Sequence, residues 1–375
     1  MNKHDFNHQG TKLRKYVFLK NNSFLRDLVV LPFLATVLLL ASCQAAQTPA
    51  PIPTGTDAPV PTATATATVT ATPTQTPTVT PTPEPAWYQP LDPAYGMLKY
   101  QYAEVVNSKA RVYTSLEDAI AKSGNFGHLK NYPAYVAYTT TERRGGALYH
   151  FVPVTYGWMD GEDLQPLTPS TFTGLLLTRD VIFRFGWVLA ETQSVNAAGG
   201  PVRTYKRYQV VHAVPTSGEK TGYIAIGLDE WLPEASVALV SPALPADAGP
   251  NTRRFIYANL ATQTLSVFDN YKLVFATLIS SGKNSWTFAG SFTILNKNPP
   301  YGSITPPEWS TSEYYIEGVP YFMTYSEDFG FHGAYWHDNF GSAASHGCIN
   351  LAPADAKWLY DWAWLGERVI ISAGD

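Results

Sequence analysis

Cysteine is nearly absent from this chain. Only Cys43 and Cys348 occur in 375 residues, so neither a disulfide framework nor a zinc ribbon can be built from them. No H-E-x-x-H pair occurs either, and no metal or cofactor is expected. A surplus of positive charge is also lacking: 26 Lys and Arg face 30 Asp and Glu, for a net charge of −4. That balance argues against a nucleic-acid partner. The apolar run Leu28–Leu40 (LVVLPFLATVLLL) is interrupted by Pro32 and falls short of the roughly 20 residues a bilayer span needs. What the chain has in quantity is aromatic side chains, with 23 Tyr and 10 Trp in a 14% aromatic share. These suit β-structure better than helical bundles. The length implies about two domains of roughly 150 residues.

The N-terminus reads as a targeting segment. Lys12, Arg14, Lys15, Lys20 and Arg26 precede the apolar run, the order of a signal peptide. The run ends in Leu40-Ala41-Ser42-Cys43, which resembles a bacterial lipobox. The resemblance implies that Cys43 is lipidated and becomes the new N-terminus, so residues 1–43 are expected to be a lipoprotein signal peptide. The mature protein is then expected outside the cytoplasm, anchored to the membrane by lipid and facing the cell wall. Residues 44–86 are expected to be a linker, in which Thr48 to Pro85 is almost wholly Thr, Pro, Ala and Val, a composition that cannot pack a core. As extended polyproline-II at about 3.1 Å per residue, this tether reaches on the order of 100 Å.

Two β-rich regions are expected beyond it. Residues 87–250 carry short apolar runs at Tyr135–Tyr138, Val181–Phe185, Tyr208–Val211 and Tyr223–Ile226, some separated by Gly145-Gly146 and Gly199-Gly200. Such spacing predicts small antiparallel sheets or a barrel. Ala110–Tyr113 and Trp231 faintly resemble SH3-like wall modules. After a linker at residues 244–251, a second domain over 252–375 opens with a hairpin whose arms are Phe255–Leu260 and Thr264–Phe268. Asp269-Asn270 turns the chain into a third run, Lys272–Ser280, and strands are expected at Phe292–Leu295 and Tyr321–Tyr325. Pro353 opens a helix with Ala356, Leu359, Tyr360 and Ala363 on one face, and Glu367–Ser372 closes as a strand. The fold class is mainly β with few helices, a small β-rich domain preceding a sandwich or barrel-like one.

Cys348 sits in Ser345-His346-Gly347-Cys348-Ile349-Asn350, with His332 and His337 upstream. A buried structural cysteine rarely has such polar neighbours. Zinc ligation by His332, His337, His346 and Cys348 fits no helix-based metalloprotease spacing. The serine-enzyme triplet S-x-x-K, S-x-N and K-T-G has loose matches at Ser280–Lys283, Ser194–Asn196 and Lys220–Gly222, but in reversed order,. A nucleophile needs a base, an orienting group and oxyanion donors. His332 can be the base, a carbonyl near Gly333 the orienter, and the Gly347 and Cys348 amides the donors.

Phe331-His332-Gly333-Ala334-Tyr335-Trp336-His337 followed by Ser345–Asn350 resembles the signature of the bacterial L,D-transpeptidases, the YkuD-type catalytic domain. The likeness covers about residues 252–375. It implies Cys348 as nucleophile and His332 as general base, with Gly333, Ser345, His346, Gly347 and Asn350 shaping the substrate and oxyanion site. The family's usual T-P-x-G stretch reads Thr287-Phe288-Ala289-Gly290 here. A family tyrosine of the oxyanion pocket corresponds to Tyr315 or Tyr321. The implied activity is stem-peptide crosslinking in peptidoglycan by a monomer through a thioester on Cys348. The alternatives are an L,D-carboxypeptidase with the same site and a non-catalytic peptidoglycan-binding lipoprotein.

Overall fold

The computed structural model describes residues 86–374, apart from residues 130, 216–219, 250–251, 299–301, 307–312 and 328. Cys43, the signal segment and nearly all of the tether therefore lie outside the described residues. Where it is described, the chain is overwhelmingly β, and the two α-helices are Leu116–Ala121 and Pro353–Trp362.

The scaffold of the C-terminal region is a seven-stranded sheet. Its order is Tyr88–Pro90, Leu175–Leu177, Lys272–Leu278, Thr264–Asp269, Arg254–Asn259, Arg368–Ser372, Gly290–Thr293. Arg254–Asn259 and Thr264–Asp269 form the expected hairpin, and Arg254–Asn259 pairs in parallel with the closing strand, Ile256 against Val369. Asp269 pairs with Lys272, leaving Asn270 and Tyr271 as a two-residue turn with φ of 49° and 67°. Two positive φ values are the mark of a type I′ turn, whose twist matches that of the flanking strands.

Both faces of this sheet are covered, which is why its strands read as near-continuous apolar runs. Ile256, Ala258, Leu265 and Val267 point to one side. There they pack on Met323, Phe331, Ile349, Leu351 and helix residues Ala356 and Leu359. Phe255 and Phe268 point to the other side and stack with ring centroids 4.8 Å apart. They meet Phe172, Phe185, Trp187 and Val240 from the N-terminal region. Each fully buried Leu, Ile or Phe of this kind contributes about 1.5–3 kcal/mol.

The first layer's partner is a four-stranded sheet ordered Asn296–Lys297, Met323–Thr324, Gly330–Gly333, Ile349–Leu351. A five-stranded sheet joins Gly302–Ile304 and Tyr315–Val319 to Ala134–Tyr138, Gln101–Val105 and Leu164–Leu167. Two sheets thus contain strands from both sides of residue 250, so the regions 87–250 and 252–375 share their frameworks. The expected linker at 244–251 includes a 3-10 turn, Ala246–Ala248, with Ala248 buried.

Three expected strands begin well after their predicted start. The run Val181–Phe185 gives a strand only from Phe185, since Ile182 is 95% exposed. Tyr208 and Tyr321 have φ of 66° and 59°, a left-handed backbone that cannot continue a strand. Extended structure therefore starts at Val210 and Met323.

Candidate active site

Two parallel strands place the chemistry. Gly330–Gly333 pairs with Ile349–Leu351, setting Phe331 opposite Ile349, His332 opposite Asn350 and Gly333 opposite Leu351. Alternation sends Phe331, Ile349 and Leu351 into the core, each fully buried,. His332 and Asn350 take the other face, and Cys348 immediately precedes the second strand on Asn350's side. Cys348 and His332 line one cleft of about 440 Å³, together with His337, His346 and Asn350.

The turn ahead of Cys348 is fastened by side chains. Ser345 Oγ accepts from Gly347 N at 3.0 Å and donates to the Cys348 carbonyl at 2.5 Å. Thr287 Oγ1 accepts from Gly282 N and donates to Gly347 O, both at 2.7 Å, which holds this stretch without the family's proline. Gly347 has φ of +132°, and a Cβ there would lie 2.1 Å from Phe329 Cε1, so glycine is required. Ser280 exchanges backbone bonds with Asn350 at 2.9 Å in both directions. Its hydroxyl is spent on Asn339 O at 2.8 Å. The S-x-x-K stretch is thus a strut for the cysteine turn.

His332 is fully buried, with Nδ1 3.0 Å from Gly333 O. A carbonyl only accepts, so Nδ1 carries the proton and Nε2 the lone pair. Burial pushes the ring's pKa down to about 4, opposed by the Gly333 bond and assisted by His337, so His332 is neutral at pH 7. Phe322 stacks on it at 5.2 Å and Trp336 at 5.7 Å. His346 lies between Trp286 at 5.4 Å and Tyr314 at 4.7 Å, and burial lowers its pKa too.

His337 was named in sequence only as a metal alternative, yet it has a structural task. Its Nδ1 accepts from Asn339 N at 3.1 Å, and Asn350 Nδ2 sits 2.9 Å from Nε2. A neutral imidazole has one acceptor nitrogen, and burial keeps this ring neutral by lowering its pKa to about 4. With Nδ1 accepting, Nε2 is the donor and needs the Asn350 carbonyl oxygen. In the orientation with Nδ2 toward Nε2, Oδ1 is buried with no partner among the described residues. Amide orientation follows from such networks. Turning the amide over satisfies His337 and leaves the Nδ2 hydrogens as donors two residues beyond the cysteine.

Some sequence assignments change. Gly333 is an orienter and not a substrate ligand, because its N bonds Pro320 O at 2.9 Å and its O serves His332. The Gly347 amide is committed to Ser345 Oγ and so is withdrawn from the oxyanion set. Tyr315 donates to Glu317 Oε1 at 2.7 Å, and Tyr321 donates to Gly96 O, so neither hydroxyl serves the cleft. The tyrosines near Cys348 are Tyr314 and Tyr325. Burial and then the Cys348 charge raise Tyr314 to about 12 and Tyr325 well above its ordinary value. The Tyr325 hydroxyl is buried with no partner among the described residues.

Among the described residues no group of three His, Cys, Asp or Glu could hold a metal ion.

Comparison with known proteins locates the likeness. The family model described as YkuD, L,D-transpeptidase catalytic domain, matches residues 253–371. A putative L,D-transpeptidase, YciB, of Bacillus subtilis (strain 168) is 30% identical over 134 residues, covering 32% of this chain and 65% of the relative. The chain thus spans under two thirds of that relative's length. The NMR structure of the catalytic domain of the E. faecium L,D-transpeptidase is 27% identical. It covers 33% of this chain and 99% of that one, with a TM-score of 0.30. An L,D-transpeptidase from Mycobacterium smegmatis is 20% identical, covering 50% of this chain and 94% of that one, also with a TM-score of 0.30. The likeness is thus carried by residues 253–371, which are similar to the L,D-transpeptidase catalytic domain of the YkuD family.

Proposed function

We propose that this protein is a peptidoglycan L,D-transpeptidase acting through a thioester on Cys348. The observation that carries this reading is one cleft lined by Cys348 and by a His332 whose Nδ1 is fixed on Gly333 O. That bond leaves Nε2 as the lone-pair nitrogen. Nε2 takes the thiol proton, and Cys348 Sγ attacks the carbonyl joining the third stem residue to the terminal D-residue. The C–N bond breaks as His332 returns the proton to the leaving amine, and a thioester remains. The side-chain amine of a second stem then attacks that carbonyl, gives a proton to the now neutral His332 Nε2 and expels the Cys348 thiolate, giving a third-to-third-residue crosslink. The Cys348 backbone amide and the Asn350 amide, both of residues that line this cleft, supply donors to the developing oxyanion.

Lipidation at Cys43 and the Thr/Pro tether place this site outside the cytoplasm and within reach of the wall, with the protein acting as a monomer. The test is incubation of the full chain with a disaccharide-tetrapeptide and mass analysis of the products. A crosslinked dimer lost on Cys348→Ala is expected. Tripeptide alone would make the protein an L,D-carboxypeptidase, and binding without turnover would make it a wall-binding lipoprotein.

A further inference from the structure

One wall of the cleft comes from far outside the motif. Pro133 and Tyr135 line the cleft alongside His332 and Cys348. The head of their strand is bound to the catalytic region. Tyr315 N donates to Pro133 O at 3.0 Å, and Asn131 Nδ2 donates to Tyr314 O at 3.4 Å. Ala134–Tyr138 then runs parallel to Tyr315–Val319, with Tyr315 against Ala134 and Ile316 against Tyr135. This pairing fixes Tyr314, which stacks on His346 at 4.7 Å. Tyr135 also stacks on Trp336 at 6.4 Å, and Trp336 stacks on His332 at 5.7 Å.

The chemistry of this wall differs from that of the rest of the cleft. Pro133, Tyr135, Ile304, Tyr314, Ile316 and Phe322 are apolar or aromatic, whereas Lys283, Asn339, Ser342 and Ser345 supply polar lining. Pro133 is exposed and Tyr135 half-buried, so both are open to a ligand. A peptide lying in such a cleft buries aliphatic surface on one side and aims its polar groups at the other.

We propose that the head of strand Ala134–Tyr138, centred on Tyr135, is a specificity-determining wall that packs against the aliphatic part of the peptide acyl donor. The proposal rests on reading the site as a peptide acyltransferase, and it gives residues 87–250 a part in substrate selection.

The test uses the full chain and a disaccharide-tetrapeptide. Tyr135→Ser is expected to raise KM about tenfold, as the loss of one well-buried apolar contact does, with kcat within about threefold. Tyr135→Phe, which keeps the ring, recovers most of the loss. Alkylation of Cys348 by iodoacetamide, a reagent too small to need the wall, stays at the parent rate in both. A photoreactive p-azidophenylalanine at position 135, nearly isosteric with Tyr, is combined with Cys348→Ala. It should form an adduct with the tetrapeptide on irradiation, and this arm decides alone if Tyr135→Ser does not fold. An unchanged KM in a folded Tyr135→Ser, or no adduct, overturns the wall. Because the adduct requires binding and not turnover, its formation in a protein whose parent makes no product upholds the wall and sinks the acyltransferase reading.

Discussion

His332 combines a fixed proton with low basicity. Its Nδ1 is held by Gly333 O at 3.0 Å, and burial pushes its pKa to about 4. The neutral form, whose Nε2 can accept a proton, therefore persists through weakly acidic solution. On the acid side kcat/KM should fall with a midpoint well below 6.5, the ordinary value for histidine. A pH–rate profile of the full chain checks this, and an acid limb at 6.5 or above would contradict the tautomer and burial assigned here. His337 carries a second prediction at this scale. His337→Phe removes the donor that holds the Asn350 amide and should lower kcat by about ten- to a hundredfold with KM within about threefold. Partial recovery in His337→Gln is expected, since it restores a donor. Equal kcat in the parent and His337→Phe would show that the amide needs no anchor. The motif itself was legible in sequence because Ser345–Asn350 is one short local turn. Tyr135 and Tyr314 were not, because their contacts span separations such as the 183 residues between Asn131 and Tyr314.

The helix Pro353–Trp362 is tied to two strands by one carboxyl. Asp355 is fully buried; Oδ1 accepts from Gly174 N at 2.8 Å and Oδ2 from Thr277 Oγ1 at 2.5 Å. Asp355→Ala strands the Gly174 N–H in the interior and leaves the Thr277 hydroxyl only Leu278 O at 3.2 Å. It should cost about 1–3 kcal/mol, read as a lower urea midpoint with an unchanged slope. A loss below about 0.5 kcal/mol, the range of an ordinary surface substitution, would mean that the helix is held by apolar packing alone. At this scale the sequence was a good guide where hydrophobic pattern and turn chemistry agree, as in the Arg254–Asp269 hairpin and the Pro353 helix start. It failed where a tyrosine takes a left-handed backbone, at Tyr208 and Tyr321. Tyrosine gives no local hint of that conformation, whereas glycine would have.

Across the whole molecule, opposed buried ionisable groups shape stability. His332 and His337 refuse protons in the folded state until about pH 4. The unfolded chain binds them from pH 6.5 downward, so their contribution is complete above 6.5 and lost as pH falls toward 4. Glu317 and Asp355 behave in the opposite sense. Burial raises both to about 7, so their contribution is complete in acid and lost as pH rises to 7. The two pairs largely cancel between about pH 4.5 and 6.5. Glu317→Gln removes one rising cost, and its stability relative to the parent should improve by about 2–4 kcal/mol between pH 4.5 and 8. Denaturant titrations at several pH values measure this, and a pH-independent difference would contradict the burial assigned to Glu317. Composition predicted a mainly β molecule, but not that strands from both sides of residue 250 would share sheets, since partner choice between strands leaves no local trace.

The proposed thioester requires Cys348 to become covalently acylated during turnover. The full chain is mixed with a disaccharide-tetrapeptide, quenched in acid within the first turnovers, and analysed by intact mass and peptide mapping. A mass gain equal to the donor less the released free D-amino acid is expected on the peptide containing Cys348 and absent from Cys348→Ala. Product release with no adduct on Cys348, or equal product from Cys348→Ala, would contradict it.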